Sequence, residues 1–383
     1  MGLCQLLLQT ALVFFPPSPD LEGLFSNATQ HTNRNSSPAR GTDHQLLKIF
    51  LTGITGFLGG RVANALLQLD HDVQALIRPA NQKGIDHWRR QGIRVVEGDL
   101  ERPHIWKHSI DPPDTVIHSA ALMSNYEHLP YSKFRSVNVE GTKHVVEAAC
   151  AKNPQALFIH ISTVSVLGPT RSGPADEETP YETSPSKYSR SKQEAERLIR
   201  SLNNINWIIL RPAQLYGEGM LYGWPETLRK IQSGNFWILG NGKARLHVTH
   251  VSDVVEGVLL ALEAGSHARC QMYHLAGPCA PTIENIFDYL AQLLQSPPPR
   301  RLPYLFGALT ARALRLVPQA LKPPALRLIH PKTIRYFTMD HVYDIEKARR
   351  KLRYEPHIFY RDGLKRLADW FTESSTAHIP EAV

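Results

Sequence analysis

The chain has 383 residues, 42% hydrophobic, 20% charged and 8% aromatic, a mix that excludes a disordered chain, a collagen-like repeat and a polytopic membrane protein. Four cysteines, Cys4, Cys150, Cys270 and Cys279, lack paired spacing, which excludes a disulfide framework and a zinc site and points to a reducing compartment. The net charge of +8 is a C-terminal property: from Arg300 onward there are 16 Lys and Arg against 8 Asp and Glu, and upstream the two signs balance.

Residues 1–45 read as a leader or extension outside the fold. The apolar run from Cys4 to Phe15 has no basic segment before it and no small-residue cleavage pattern after it, and it is too short to cross a bilayer. Leu6 stands where a myristoylation signal needs Ser or Thr, and Pro16 to Asp43 has an unfolded composition rich in Pro, Ser, Asn and Thr. Order is expected from Leu46. Leu47 to Leu51 reads as a strand, Arg61 to Leu69 as a helix, and Thr52-Gly53-Ile54-Thr55-Gly56-Phe57-Leu58-Gly59 joins them. In such a strand–turn–helix unit Gly53 permits the tight turn, Gly56 lets backbone approach a pyrophosphate, and Gly59 lets the helix pack closely. Gly53, Thr55, Gly56, Phe57, Leu58 and Gly59 are therefore expected to hold a dinucleotide.

The second strand, Asp72 to Ile77, ends without the carboxylate that would bind a ribose 2′-hydroxyl; Arg78 follows instead. A cation there suits a 2′-phosphate, so NADP is expected with NAD still open, and the alternative for Arg78 is an ordinary solvated arginine. A third strand, Arg94 to Glu97, runs into Gly98-Asp99-Leu100, where Asp99 is expected to bond the adenine amine. A fourth, Thr115 to His118, ends in small residues, Ser119, Ala120 and Ala121, against which a flat cofactor can lie. Strands alternating with helices imply an α/β, Rossmann-type doubly wound parallel sheet with its ligand at the carboxyl ends of the strands.

The strand Leu157 to Ile161 delivers Ser162-Thr163-Val164-Ser165, and 25 residues after Thr163 comes Tyr188-Ser189-Arg190-Ser191-Lys192. Tyr188 and Lys192, four apart on a helix, share one face, so a Lys192 ammonium is expected to lower the Tyr188 phenol and make it an acid or base near neutral pH. Thr163 is expected to hydrogen-bond the substrate oxygen.

With these residues in place the chain, from about Leu46 to Trp370, resembles the extended short-chain dehydrogenase/reductases, the superfamily of sugar-nucleotide epimerases, dihydroflavonol reductases and 3β-hydroxysteroid dehydrogenases. Further matching segments are Asn138-Val139-Glu140-Gly141-Thr142, Leu210-Arg211-Pro212 with Tyr216-Gly217, and His250-Val251-Ser252-Asp253-Val254. Lys347 to Pro356 resembles the closing motif, with Arg353 in place of its glycine. The resemblance implies that Tyr188 is the catalytic acid/base, that Lys192 also holds the nicotinamide ribose, that Thr163 completes the set, and that Pro212 and the residues after it line the nicotinamide pocket; Leu100, Ala120 and Ala121 are further expected coenzyme contacts. Two departures bear on the reaction. The 4,6-dehydratases carry an Asp-Glu pair where this chain has Val164 and Ser165, and the epimerases place a diphosphate-gripping arginine where this chain has Leu246, with Arg245 one position off.

The expected function is an NADP-dependent oxidoreductase moving hydride between nicotinamide and a carbonyl or secondary alcohol of a hydrophobic small molecule. An NAD-dependent nucleotide-sugar epimerase and a non-catalytic NADP sensor remain as alternatives. The domain reading is a Rossmann unit over 46–212, rejoined by 247–263, and a smaller C-terminal substrate-binding lobe from 213–246 and 264–383. In the lobe Trp224, Phe236, Trp237, Tyr304 and Phe306 are candidates either to line the pocket or to form its core. Residues 300–339 hold eight bases and no acid amid leucines, expected as a lid over a pocket or as a weak contact with an anionic membrane surface. No metal and no nucleic acid are expected, a homodimer is left open, and the location is expected to be cytoplasmic, or peripheral to a membrane.

Overall fold

The computed structural model describes residues 45–170, 173–303 and 331–376; the leader, Tyr304, Phe306 and most of the basic stretch lie outside them. Among the described residues eleven strands follow in chain order: β1 Lys48–Thr52, β2 Asp72–Ile77, β3 Arg94–Glu97, β4 Thr115–His118, β5 Leu157–Ile161, β6 Asn206–Pro212, β7 Gln214–Tyr216, β8 Trp237–Leu239, β9 Val248–His250, β10 Gln271–Leu275 and β11 Arg300–Leu302. Seven form one sheet in the order β10-β6-β5-β4-β1-β2-β3, every pairing parallel. The central runs are apolar without alternation, as Ile49-Phe50-Leu51 and Ile208-Ile209-Leu210 are, because helices cover both faces. After β3 the chain returns to the other side of β1, so the strand order reverses between β1 and β4. A crevice opens there at the strands' carboxyl ends.

Two helices frame the crevice. Phe57–Gln68 buries Leu58, Val62, Ala63 and Leu66, one stripe at helical spacing. It begins at Phe57, four residues earlier than its glycine-poor portion suggests, because Gly59 packs on the β1 turn and that contact outweighs the weak helix propensity of glycine. Lys187–Ser201 starts where Ser186 accepts the Ser189 amide, and it buries Tyr188, Lys192, Ala195, Glu196 and Ile199 on one face.

The sheet draws one boundary differently from the expected division. β10 lies within 264–383 yet pairs with β6 from Gln271↔Ile208 to Leu275↔Pro212. Its residues Met272 to Leu275 are buried, which an edge strand covered by helices requires; the polar Gln271 and His274 hide that pattern in the sequence. Beyond the sheet, β7 pairs with β9 and β8 with β11, around an aromatic core in which Phe236 and Phe287 lie 4.6 Å apart. Trp224, Phe236 and Trp237 all belong to this core. Of the basic stretch, Arg301 pairs with Glu284 at 3.0 Å and Asp288 at 3.6 Å, and Arg335 with Glu182 at 2.8 Å. Among the described residues no helix is long and apolar enough to cross a membrane. The closing helix Glu346–Leu352 ends on Arg353 in the left-handed region, φ +59°, which is why glycine is usual there.

Candidate active site

The glycine turn is shaped by contacts that no side chain could survive. Gly53 has φ +80°, and a Cβ there would stand 2.6 Å from the Ala120 nitrogen and 2.7 Å from the Ser119 carbonyl carbon, so the ends of β1 and β4 touch backbone to backbone. A Cβ on Gly59 would stand 2.1 Å from the Gly53 carbonyl oxygen. Gly56 is exposed and caps the Phe57–Gln68 helix in extended conformation with no side chain on the first amides, an arrangement suited to phosphate. Thr55 and Phe57 are half-buried in and after the turn, and Leu58 is buried. Ala120 and Ala121, both half-buried, continue from β4; Leu100 is buried after β3, and Pro212 ends β6 against Leu275. Arg78 is exposed just past β2. Asp99 Oδ1 accepts the Glu101 amide at 2.9 Å, so one carboxylate oxygen is spent on its own turn. These residues fit a nicotinamide dinucleotide.

Thr163 lies at the end of β5, beside the helix that carries Tyr188 and Lys192. Its hydroxyl accepts the Ser165 amide at 3.1 Å and donates to Ser165 Oγ at 3.2 Å; Ser189 donates to the same oxygen at 3.1 Å, and Ser186 to Ser189 at 2.9 Å. A row of hydroxyls thus ties the strand end to the helix start. Lys192 Nζ donates to the Ile161 carbonyl at 2.7 Å and to His160 Nε2 at 3.0 Å. The expected lowering of Tyr188 by Lys192 is not what this arrangement produces. Burial pushes the phenol well above its ordinary value, with Tyr222 adding to the effect, and burial pulls Lys192 down to about 7, partly offset by Glu196. Desolvation is the largest cause of both shifts, so Tyr188 is a neutral phenol at neutral pH.

Several supporting residues carry no motif of their own. Thr142 donates to the Asn138 carbonyl at 2.7 Å and therefore accepts from His118 Nε2 at 3.0 Å, leaving His118 Nδ1 to accept from Thr52 at 2.7 Å. Asn138 sits in a π turn, Ser136–Glu140, inside an otherwise α-helical stretch. Its amide clamps the Leu122 backbone, accepting at 2.6 Å and donating at 3.0 Å, and donates to Ser191 at 2.8 Å. Glu127 accepts the Tyr188 amide at 2.9 Å. Glu196, one turn beyond Lys192, forms a fully buried pair with Arg211 at 2.6 Å and receives the Ser162 and Tyr181 hydroxyls. Continuing the four-residue spacing from Tyr188 through Lys192 to Glu196 would have found it.

The two departures noted in the sequence hold in three dimensions. Val164 is buried and Ser165 belongs to the hydroxyl row, so no carboxylate follows Thr163. Leu246 is 3% exposed in the lobe core, and Arg245 is bound to Asp340 through Nε at 2.9 Å and Nη2 at 2.6 Å. No group of residues suited to a metal occurs among the described residues.

A parallel doubly wound sheet with a glycine turn at its switch point and a Tyr-x-x-x-Lys helix beside it defines the extended short-chain dehydrogenase/reductase class. The chain belongs to the NAD dependent epimerase/dehydratase family, whose sequence model matches residues 49–276. It is 26% identical to a 2-alkyl-3-oxoalkanoate reductase of Stenotrophomonas maltophilia, over 84% of this chain and 98% of that one. It is 28% identical to a 4-hydroxy-2-methyl-3-oxo-4-farnesyl-3,4-dihydroquinoline-1-oxide ketoreductase of Stigmatella aurantiaca, over 84% and 96%. The solved dTDP-glucose 4,6-dehydratase of Streptomyces venezuelae, with NAD bound, superposes with TM-score 0.68 at 22% identity, covering 87% of this chain and 99% of that one. The first two relatives are reductases and the family is NAD dependent, which supports an enzyme with a nicotinamide cofactor.

Proposed function

We propose that the protein is an NADP-dependent reductase of a carbonyl on a hydrophobic small molecule, acting on the CH–OH/C=O pair. The observation that carries this reading is Arg245 bound to Asp340 with Leu246 in the core, so that neither residue offers a free cation at the expected diphosphate position, while Tyr188 and Lys192 are both retained. The two ketoreductase relatives support the same direction.

A bound NADPH supplies the hydride. The chain's own part begins with the glycine turn, which takes the pyrophosphate, while exposed Arg78 pairs with the 2′-phosphate and Lys192 donates to the nicotinamide ribose. Tyr188 and Thr163 donate to the substrate oxygen. Negative charge builds on that oxygen as reduction proceeds, and the neutral Tyr188 phenol already holds the proton it needs.

The test is NADPH and NADH oxidation with a panel of β-keto esters, steroid ketones and aldehydes. Tyr188→Phe keeps the ring but removes the proton, so turnover should fall by roughly 10²–10⁴ while melting temperature and coenzyme binding persist. Full activity in a folded Tyr188→Phe protein removes the mechanism, and tightly copurifying NAD with UDP-sugar turnover points to the epimerase instead.

A further inference from the structure

Under the face shared by Tyr188 and Lys192, β5 carries a histidine for which hydride transfer has no direct use. His160 is fully buried, and its Nε2 lies 3.0 Å from Lys192 Nζ. When Lys192 is an ammonium it only donates, so Nε2 then presents a lone pair and the ring proton sits on Nδ1. That Nδ1 is buried without a hydrogen-bond partner. The fold leaves one N–H unmatched and keeps a lone pair aimed at Nζ. Burial, the Lys192 charge and His118 together hold the imidazole neutral, and His118 stacks on it at 5.4 Å, itself fixed by Thr52 and Thr142.

The other groups facing Lys192 do not take this role. Glu196, on the same helix, raises the Lys192 ammonium's affinity for its proton, but its oxygens are occupied by Arg211 from β6 and by the Ser162 and Tyr181 hydroxyls. His118 on β4 has both nitrogens bonded. Tyr188 is neutral. The side chain that accepts from Nζ is therefore His160, beside the backbone carbonyl of Ile161 at 2.7 Å.

We propose that His160 is the positioning residue of Lys192: its Nε2 and the Ile161 carbonyl take two of the three ammonium N–H bonds, which orients Nζ and leaves one N–H for a coenzyme hydroxyl. The coenzyme half of this statement rests on the reading of Lys192 given above; the coupling to His160 does not.

The test uses the full chain as wild type, His160→Leu, which removes the acceptor, and His160→Gln, whose amide oxygen reaches the place of Nε2. Lys192 is titrated without coenzyme by NMR of ¹³C-labelled lysine, its signal assigned with Lys192→Arg. Binding of NADPH and NADH is measured from pH 6 to 9. In His160→Leu the Lys192 midpoint should move to lower pH by about one unit, because the charged form loses a hydrogen bond. NADPH binding at pH 8 should weaken about tenfold. His160→Gln should keep both close to wild type. If His160→Leu does not fold, His160→Asn, too short to reach Nζ, takes its place. An unmoved Lys192 midpoint in the variant lacking the acceptor overturns the proposal, as does an equal loss in His160→Gln. A wild type that binds neither coenzyme while its Lys192 midpoint still responds to His160 upholds the coupling and overturns the coenzyme reading.

Discussion

Where β5, β6 and the Lys187–Ser201 helix meet, the chain buries His160, Lys192, Glu196 and Arg211, none more than 1% exposed. The lobe around Phe236, Phe287 and Phe337 is equally closed to solvent and is filled almost entirely by apolar side chains. Burying charge costs free energy unless every partner is in place, whereas burying rings stabilises without that condition. Of the three polar groups buried with Lys192, His160 touches it directly, Glu196 acts on its charge, and Arg211 neutralises Glu196. The polar burial of this region is thus centred on Lys192. Of the lobe's aromatic candidates for pocket lining or core, the described Trp224, Phe236 and Trp237 belong to the core.

The sharpest way to break this contrast is Glu196→Ala. It strands the buried Arg211 and should cost about 3–5 kcal/mol in urea unfolding, whereas the double change Glu196→Leu with Arg211→Met should recover most of that loss. A double variant as unstable as the single would mean that the pair is kept for folding rather than for the site.

Lys192 offers the next largest effect. Its folded value is about 7 against 10.5 for the free side chain, so between those values the unfolded state binds the extra proton and stability rises with pH. From pH 7 to 9 the wild type should gain up to about 1.4 kcal/mol per pH unit relative to Lys192→Met. Equal slopes in calorimetric melts of the two proteins would contradict the depressed lysine. Tyr188, raised above its ordinary value of 10.0, does not titrate in that window.

Smaller effects belong to the surface. Arg78→Ala should weaken NADPH relative to NADH by about 1–2 kcal/mol, roughly five- to thirtyfold in dissociation constants, and an unchanged ratio would return Arg78 to an ordinary solvated arginine. Arg353→Gly relieves a left-handed residue at a helix end and should raise stability by about 0.5–1 kcal/mol, seen as a higher denaturant midpoint at constant slope.

The contrast also explains what could be read in advance. β2, β4 and β5 were legible to the residue because parallel strands buried on both faces are short apolar runs between turns, and the edge strand β3 because Gly92 and Gly98 bracket it. The spacing of Tyr188 and Lys192 placed both on one buried helix face, and the strand end placed Thr163 beside that helix. His160 was not legible: inside Leu157–Ile161 it is one polar residue in a strand, and its meaning depends on a helix 32 positions later. β10 was obscured by its own polar residues, and the direction of the Tyr188 shift was misjudged because spacing reports proximity and says nothing of desolvation.

The π turn at Ser136–Glu140 has a consequence for how this chain can change length. A π turn holds one residue more than the α-helix around it, so Tyr131–Arg135 and Gly141–Lys152 are out of phase. Deleting one residue there would restore a regular helix and rotate everything beyond it by about 100°. The helix would then keep either the Asn138 clamp on Leu122 or the packing of Val145 and Val146, and not both. That segment tolerates substitution more readily than it tolerates an indel.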